Sequence, residues 1–245
     1  MTKKYRTLIT VTGLELPVDI SLERRRDTRF GITGKRVTLR LPVGATPEFV
    51  QKQLWGLQTW VEQVFVQKPA LREPFVQKDY QTGDLLAVGA RRYVLDLKVE
   101  DRATHTARLV GDTIYLQLAE RAGAAQRTKS IKTLLSRVVA GDFYPEIRRR
   151  VLDLNDRSFR QHIKSINLKY NHTNWGSCSA HNNVNLSTRL LFAPEDVQDY
   201  VILHELAHLV ELNHSDRFWA LVARHMPDYR DKEHWLKVNR ARCDF

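Results

Sequence analysis

Apolar and polar residues alternate in short runs along the first 42 residues of the chain. The runs cover residues 7–11, 18–22 and 37–41, and they are separated by Gly13, Gly31 and Gly34 and closed by Pro42. Alternation with a period of two is typical of a strand that buries one face. We therefore predict an antiparallel meander with one polar face at the start of the chain.

A helical period replaces this alternation after Thr46-Pro47-Glu48, a sequence that favours a helix start. The apolar residues with helical spacing are Phe49, Val50, Leu54, Leu57, Val61, Val64 and Phe65. They predict one amphipathic helix over 47–67. The next segment, Lys68 to Asp84, contains Pro69, Pro74 and Gly83 and is the best candidate for a linker.

Strand-like runs return after this segment, at residues 85–88, 92–99, 107–110 and 113–118. A long helical region follows from 124 to about 162, with a break expected near Gly141 and Pro145. Two further strands, at residues 163–170 and 183–190, are expected to pair. We find no internal repeat in the sequence, apart from the general similarity between the two series of strand-like runs.

The order of these elements predicts an α+β protein with two parts. Residues 1–120 form a β-rich N-terminal region that contains the amphipathic helix, and residues 121–245 form a second domain. In this second domain, a largely apolar helix is expected to pack on a small antiparallel sheet. A chain of this length has ample material for a buried core.

The chain is strongly basic, with 39 Lys and Arg against 28 Asp and Glu and a net charge of +11. Such a charge favours acidic substrates or polyanions as partners. The arginine clusters at residues 24–26, 91–92 and 148–150 are dispersed, which is typical of solvated faces. Nucleic acid is therefore an alternative partner rather than the leading one.

Compartment and membrane contact can also be predicted. The chain has two cysteines, Cys178 and Cys243, too few for a disulfide framework. The first residues lack a leader pattern, and no apolar stretch is long enough to span a bilayer. We expect a cytoplasmic protein without membrane contact.

The segment His204-Glu205-Leu206-Ala207-His208 carries the main candidate chemistry. If it is helical, both imidazoles project from one face, as two ligands of a tetrahedral metal require. The geometry suits one Zn²⁺ per chain, and Glu205 could take a proton from metal-activated water. A divalent cation would also compensate the burial of these polar groups in an apolar helix, which begins near Pro194.

A tetrahedral catalytic site needs a third protein ligand, and His214 is the leading candidate. It follows Asn213, a residue that tolerates the left-handed conformation closing a helix. Glu211, Cys178 and His234 are alternative ligands. Ser215 and Asp216 favour the start of a second helix, in which Phe218 and Trp219 would support the ligand turn.

The chain resembles the YgjP-like family of metal-dependent hydrolases, which is related to SprT-like and WLM zinc peptidases. The resemblance is carried by the following segments: 173–179 (TNWGSCS), 184–186 (VNL), 193–194, 200–209 (YVILHELAHL), 213–215 (NHS), 218–219 and 226–229 (MPDY). It implies a zincin-like catalytic domain over residues 121–245. It also implies that His204, His208 and His214 bind zinc and that Glu205 is the catalytic base.

These features together predict a zinc metallopeptidase that hydrolyses peptide bonds. Two alternatives stay open: a non-catalytic zinc module that binds protein or nucleic acid, and a hydrolase of other amides or esters. The transition state needs a donor beside the metal, and the candidates are Tyr229, His225 and Arg217. Asn174 and Trp175 are expected to border the substrate cleft.

Overall fold

The computed structural model describes residues 3–76, 79–121 and 123–245. It divides into two compact units, residues 1–78 and 79–245, which we call the N-terminal and C-terminal units. The division falls within the predicted linker, although residues 77 and 78 of that linker lie outside the described residues, as do 1, 2 and 122. The expected boundary after residue 120 falls inside the C-terminal unit, because the strands before it share a core with the helix after it.

The N-terminal unit is a four-stranded sheet followed by one helix. Its elements are β1 (Lys3–Val11), β2 (Leu14–Glu23), β3 (Arg29–Thr33), β4 (Arg36–Pro42) and α1 (Pro47–Gln67). The strand order is β1-β2-β4-β3, with β2 and β4 parallel and the outer pairs antiparallel. The predicted antiparallel meander is therefore wrong. The chain between β2 and β3 passes to the far side of β4, so β4 lies between its hairpin partner and β2.

Helix α1 has the bounds that its apolar spacing predicts. Its N-cap is Thr46, whose hydroxyl accepts a hydrogen bond from the backbone of Phe49 at 3.3 Å. Leu57, Val61 and Phe65 face the sheet and are buried against alternate residues of its strands. The sheet contributes Ile9, Val11, Leu16, Val18, Ile20, Val37, Leu39 and Leu41 to this core.

The C-terminal unit begins with the same arrangement. Its first elements are β5 (Leu85–Val88), β6 (Arg91–Glu100), β7 (Thr106–Val110), β8 (Thr113–Ala119) and α2 (Ala124–Arg157). The strand order β5-β6-β8-β7 again has a parallel central pair and antiparallel outer pairs. The same topology of four strands followed by a helix therefore occurs twice, once in each unit. The sequence does not reveal the repeat, because strand pairing requires alternating apolar positions rather than identical residues.

The expected break in α2 is absent, since the helix continues through Gly141 and Pro145. Proline removes one helical hydrogen bond, but side chains on both sides of it hold the helix in place. Phe143 and Ile147 are buried in the core of the unit. Arg91 of the sheet donates hydrogen bonds to Asp142 at 2.8 Å and to Glu146 at 3.1 Å. One guanidinium therefore binds α2 on both sides of the proline.

The remaining elements form a small sheet and three helices. They are β9 (Ser165–Lys169), β10 (Gly176–Cys178), β11 (Asn183–Ser187), α3 (Glu195–Ala207), α4 (Asp216–His225) and α5 (Tyr229–Asn239). The sheet order is β10-β11-β9, with β10 antiparallel and β9 parallel to β11. The α+β class is confirmed, but this sheet is mixed rather than antiparallel. Helix α5 was not predicted, because its charged sequence lacks a strong apolar period.

Helix α3 lies at the centre of the C-terminal unit and is buried along most of its length. Arg150 of α2 forms a bidentate pair with Asp199 and also donates to Glu195, at 3.1 Å, near the first turn of α3. Val184 and Leu186 of β11 share its core, as their alternation predicts. These contacts fix the helix that carries the His-Glu-x-x-His segment. No helix in the described parts of the chain combines the length and apolarity needed to cross a bilayer.

Candidate metal site

The structure brings three imidazoles together at the end of α3. One ring nitrogen from each of His204, His208 and His214 lies within 4.8 Å of the other two. The Nε2 atoms of His204 and His214 are 3.0 Å apart. Two nitrogen ligands of a tetrahedral zinc ion are separated by about 3.3 Å, given Zn–N bonds of about 2.05 Å. The donor set and its spacing therefore fit a zinc ion.

The backbone fixes the orientation of the second imidazole. Nδ1 of His208 lies 3.2 Å from the carbonyl oxygen of Glu211. A carbonyl oxygen only accepts, so Nδ1 carries the proton and Nε2 keeps its lone pair. Outer hydrogen bonds of this kind orient metal-binding histidines in known sites. Glu211 thus contributes to the site through its backbone rather than as the alternative ligand expected from the sequence.

Burial keeps the first imidazole neutral. Desolvation, together with the neighbouring His208 and His214, lowers the pKa of His204 to about 4. Burial also lowers the pKa of His208. Both rings are therefore uncharged near neutral pH, the form in which histidine binds metal. A neutral pair of converging imidazoles provides lone pairs for a cation without a prior loss of protons.

The turn that returns His214 to the other two rings begins earlier than predicted. Helix α3 ends at Ala207, with His208 as its C-cap. The next turn is tightened by hydrogen bonds such as Leu209 N to Leu206 O, at 3.0 Å. Asn213 is not among the residues with positive φ, so the expected left-handed closure there is wrong. The early helix end leaves enough chain to bring His214 back without a left-handed residue.

A fully buried aromatic ring supports all three imidazoles. Phe218 of α4 lies 4.5 to 4.9 Å from their ring centroids. Its position depends on the start of α4, where the Ser215 hydroxyl accepts from the Phe218 backbone at 3.3 Å, as predicted. The backbone cap and the ring therefore hold the three imidazoles together without contributing a ligand.

Glu205 directly follows His204 in α3, and its carboxylate is held by β10. A Cβ placed on Gly176 would lie 2.6 Å from Oε1 of Glu205, closer than real contacts allow. The backbone N–H of Cys178 donates to the Glu205 carboxylate. Strand β10 therefore positions this carboxylate in two ways. Cys178 donates a hydrogen bond to it, and Gly176, which lacks a side chain, leaves room for it.

Burial raises the pKa of Glu205 to about 8, an effect that the hydrogen bond from Cys178 partly offsets. Only 5 % of Glu205 is exposed. A divalent cation bound nearby would favour the ionised form and lower this pKa. A carboxylate with a pKa near neutrality can both accept and return a proton, as general acid–base chemistry requires.

The imidazoles and Glu205 line an open cleft of about 600 Å³. Its walls come from the loop before β10, from β10 itself, from α3 and the following turn, and from α5. The lining side chains include Asn174 and Trp175, as expected from the sequence, and also the apolar Val201, Leu212 and Leu236. Such a mixture of apolar walls and a few convergent polar groups is typical of a substrate site.

The YgjP-like, metallopeptidase domain family model matches residues 26–239. The chain belongs to this family. Two solved structures are similar to part of it: the metallopeptidase zymogens abylysin of Pyrococcus abyssi and jannalysin of Methanocaldococcus jannaschii. Abylysin is 22% identical to this chain, and the match covers 38% of this chain and 92% of abylysin. Jannalysin is 21% identical, and the match covers 38% of this chain and 94% of jannalysin. The TM-score is 0.34 in both cases. No match was found among curated proteins.

Three residues expected to stabilise the transition state of this YgjP-like chain do not line the cleft. Tyr229 stacks on Trp219, with ring centroids 5.3 Å apart, and borders a neighbouring cavity. His225 packs edge-on against Phe159 near the end of α4, and Arg217 is exposed on the same helix. Proximity in sequence to the histidines therefore does not by itself place these three side chains along the cleft.

The two other alternative ligands also lie outside the group of three imidazoles. His234 is exposed on α5 and borders the neighbouring cavity. Cys178 lines the cleft, but its thiol is not among the converging ligand atoms. Burial, and the nearby charge of Glu205, raise the pKa of this thiol to about 11. A protonated thiol is a poor metal ligand, which agrees with the position of Cys178 beside the imidazoles rather than among them.

Sequence reasoning missed two features of this site. The sequence marks Gly176 only as part of the TNWGSCS segment, and its contact with Glu205 depends on tertiary structure. Arg240 lines the cleft from the end of α5 and was not considered. Neither residue has a local sequence signal, because each acts through a segment far away along the chain.

Proposed function

We propose that this YgjP-like chain is a zinc-dependent peptidase with Glu205 as its general base. The observation that carries the proposal is the convergence of three imidazoles beside a buried carboxylate in one open cleft. Membership of a metallopeptidase family supports the same conclusion. The role of each residue in the proposed reaction follows from its position in the cleft.

His204, His208 and His214 would hold the ion through one ring nitrogen each. Three protein ligands leave a fourth position open, as in catalytic rather than structural zinc sites. Zinc bound there would supply Lewis-acid activation of water and of the scissile carbonyl. Phe218 keeps the three rings close together, and the Glu211 carbonyl sets the tautomer of His208.

Glu205 would accept a proton from the attacking water and deliver it to the leaving amine. Its sequence position next to His204 and its contact with β10 keep the carboxylate in the cleft. The Cys178 N–H orients it, and Gly176 leaves room for it. Because Glu205 itself is buried, a proton held by its carboxylate is not readily lost to bulk water.

The substrate would be an extended peptide segment. Strand β10 is at the edge of its sheet, since its one partner among the described strands is β11. Gly176, Ser177 and Cys178 all line the cleft, so this edge faces the same space as the imidazoles. A free strand edge can bind a peptide backbone through main-chain hydrogen bonds.

The deciding experiment replaces Glu205 with Gln in the full chain. We expect the variant to keep one zinc per chain and to lose peptide hydrolysis by roughly 10²- to 10⁴-fold, the usual contribution of a general base. Metal analysis and cleavage of a peptide library provide the two measurements. Glu211→Gln is the matched control, because its carboxylate is outside the imidazole group, and it should retain both properties.

Single His→Ala variants at positions 204, 208 and 214 test the ligand set. Each should lose stoichiometric zinc together with activity, because two imidazoles hold the ion far less tightly than three. Full activity in Glu205→Gln, or full zinc content in any of the histidine variants, would contradict the proposal. Zinc binding by the wild-type chain without cleavage of any peptide would contradict peptidase activity itself.

A further inference from the structure

The cleft contains a cationic side chain that the proposed mechanism does not use. The charged residues along its walls, apart from Glu205 and the imidazoles, are Glu233 and Lys237 of α5 and Arg240, the C-cap of this helix. Lys237 and Glu233 form an ion pair at 2.9 Å and neutralise each other. Arg240 forms no ion pair within the described parts of the chain. Its charge is therefore the uncompensated one on this wall.

Arg240 is exposed to the cleft but held in position. One terminal nitrogen of its guanidinium donates to the carbonyl oxygens of Thr173, at 2.7 Å, and His172, at 3.2 Å. Arg189, buried beneath, donates to the Arg240 carbonyl at 2.6 Å and so fixes the backbone as well. A guanidinium has five N–H donors. Two of them anchor Arg240 to the loop, and the remainder are available to a ligand.

We propose that Arg240 forms a carboxylate-binding subsite, so that the enzyme prefers peptides with a carboxylate, either an acidic side chain or a free C-terminus. This inference rests on the proposed peptidase function. An anchored guanidinium loses little conformational entropy when it binds, and its planar donors match a carboxylate. The ligand binds through charge-assisted hydrogen bonds, and no covalent step is involved.

The surroundings of Arg240 favour an anion over a neutral group. Trp175 and Leu236 line the same cleft, and apolar walls strengthen a hydrogen-bonded charge pair by excluding water. The other acidic side chain on this wall, Glu233, is paired, so it does not repel an incoming carboxylate strongly. The net charge of +11 also raises the local concentration of acidic peptides at low salt.

The test compares peptides that differ in one charged group. In one series, each position of a cleaved peptide carries Glu or Gln in turn; in the other, the C-terminus is free or amidated. We expect kcat/KM of the zinc-loaded wild type to be roughly ten- to a hundredfold higher for the carboxylate member of one series. The series that shows the ratio identifies the source of the carboxylate.

Arg240→Gln should bring that ratio close to one, mainly through a higher KM for the carboxylate peptide, whereas Arg240→Lys should retain part of it. Arg242→Gln, an exposed arginine outside the cleft, is the control and should keep the full ratio. If Arg240 only anchored the loop, its loss would slow both peptides equally and leave the ratio unchanged. That result would overturn the inference.

Two outcomes with the wild type distinguish the inference from the function on which it rests. Cleavage of charged and neutral peptides at equal rates would overturn the carboxylate subsite and leave the peptidase intact. Failure to cleave any member of either series would overturn both. Zinc content and circular dichroism of each variant ensure that a changed ratio reflects recognition rather than unfolding.

Discussion

The two copies of the four-strand-and-helix arrangement differ in what their cores support. In the N-terminal unit, β1–β4 and α1 enclose a core made of their own residues and a few that follow. In the C-terminal unit, the core between β5–β8 and α2 continues without a break to β11, α3 and α4. One topology therefore serves once as a self-contained module and once as the support of the proposed metal site.

The helices account for much of this difference. Helix α1 has 21 residues and α2 has 34. Because α2 is longer, it contacts elements beyond its own sheet. The Ser136 hydroxyl is hydrogen-bonded to the buried Thr188 at 2.8 Å, and Arg150 donates to Glu195 of α3. A substitution in either unit should affect folding, but only one in the C-terminal unit should reach the imidazoles through shared packing.

The largest expected effects come from a matched pair of core substitutions, Leu57→Ala in α1 and Leu135→Ala in α2. Both leucines are 0% exposed, so each change should lower the free energy of unfolding of its own unit by about 2–5 kcal/mol. Zinc at the proposed site would bind only folded protein and should therefore raise the melting temperature of the unit that contains this site. Leu135→Ala should lower the melting temperature of this zinc-dependent transition, and Leu57→Ala should leave that temperature unchanged.

Calorimetry with and without zinc measures both transitions in the full chain. Zinc affinity and peptide hydrolysis at low temperature complete the comparison, and Leu57→Ala should match the wild type in both. A loss of zinc affinity in Leu57→Ala equal to that in Leu135→Ala would show that the two cores are not energetically separate.

A pair of glycines gives the next largest contrast. Gly176 approaches Glu205, and Gly31 of β3 approaches Thr38, where an added Cβ would lie 2.7 Å from the hydroxyl oxygen. Gly176→Ala should displace the carboxylate of Glu205 and reduce kcat roughly 10²-fold, because misplacement of a reacting group by about 1 Å has an effect of that size. Gly31→Ala should leave kcat unchanged and lower the stability of the N-terminal unit by about 1 kcal/mol.

Zinc stoichiometry separates the possible causes in this pair. Gly176→Ala should retain one zinc per chain, since the three atoms nearest to the added methyl group all belong to Glu205 and not to an imidazole. Loss of zinc in this variant would mean that the methyl group disturbs α3 as a whole. Wild-type kcat with normal zinc content would show that β10 does not position the base.

The sequence predicts those features of the chain that depend on neighbouring residues. The spacing of His204 and His208 predicts their convergence, because four residues make one helical turn. The apolar period predicts α1 with its observed bounds, and Ser215 predicts the start of α4. Each of these features is determined within about one or two helical turns, where local rules are strong.

The remaining features depend on residues that are far apart in the sequence. The exchange of β3 and β4 within the first sheet is not visible in their alternation, since either order buries the same faces. Helix α2 passes through Pro145 because tertiary packing overrides a local breaker. The distance between Gly176 and Glu205 arises only when β10 packs on α3. Local patterns therefore predict the converging imidazoles better than the groups that position them.

The smallest contrast uses the helix caps Thr46 of α1 and Ser215 of α4, whose hydroxyls each accept a backbone hydrogen bond at 3.3 Å. Replacement of either by Ala should lower stability by about 1 kcal/mol. Ser215 follows His214 directly and precedes the helix that carries Phe218, so Ser215→Ala should also weaken zinc binding by about fivefold. Thr46→Ala should leave zinc affinity unchanged. Competition with a zinc chelator measures this difference, and equal affinities in the two variants would show that the α4 cap stabilises its helix without positioning the third imidazole.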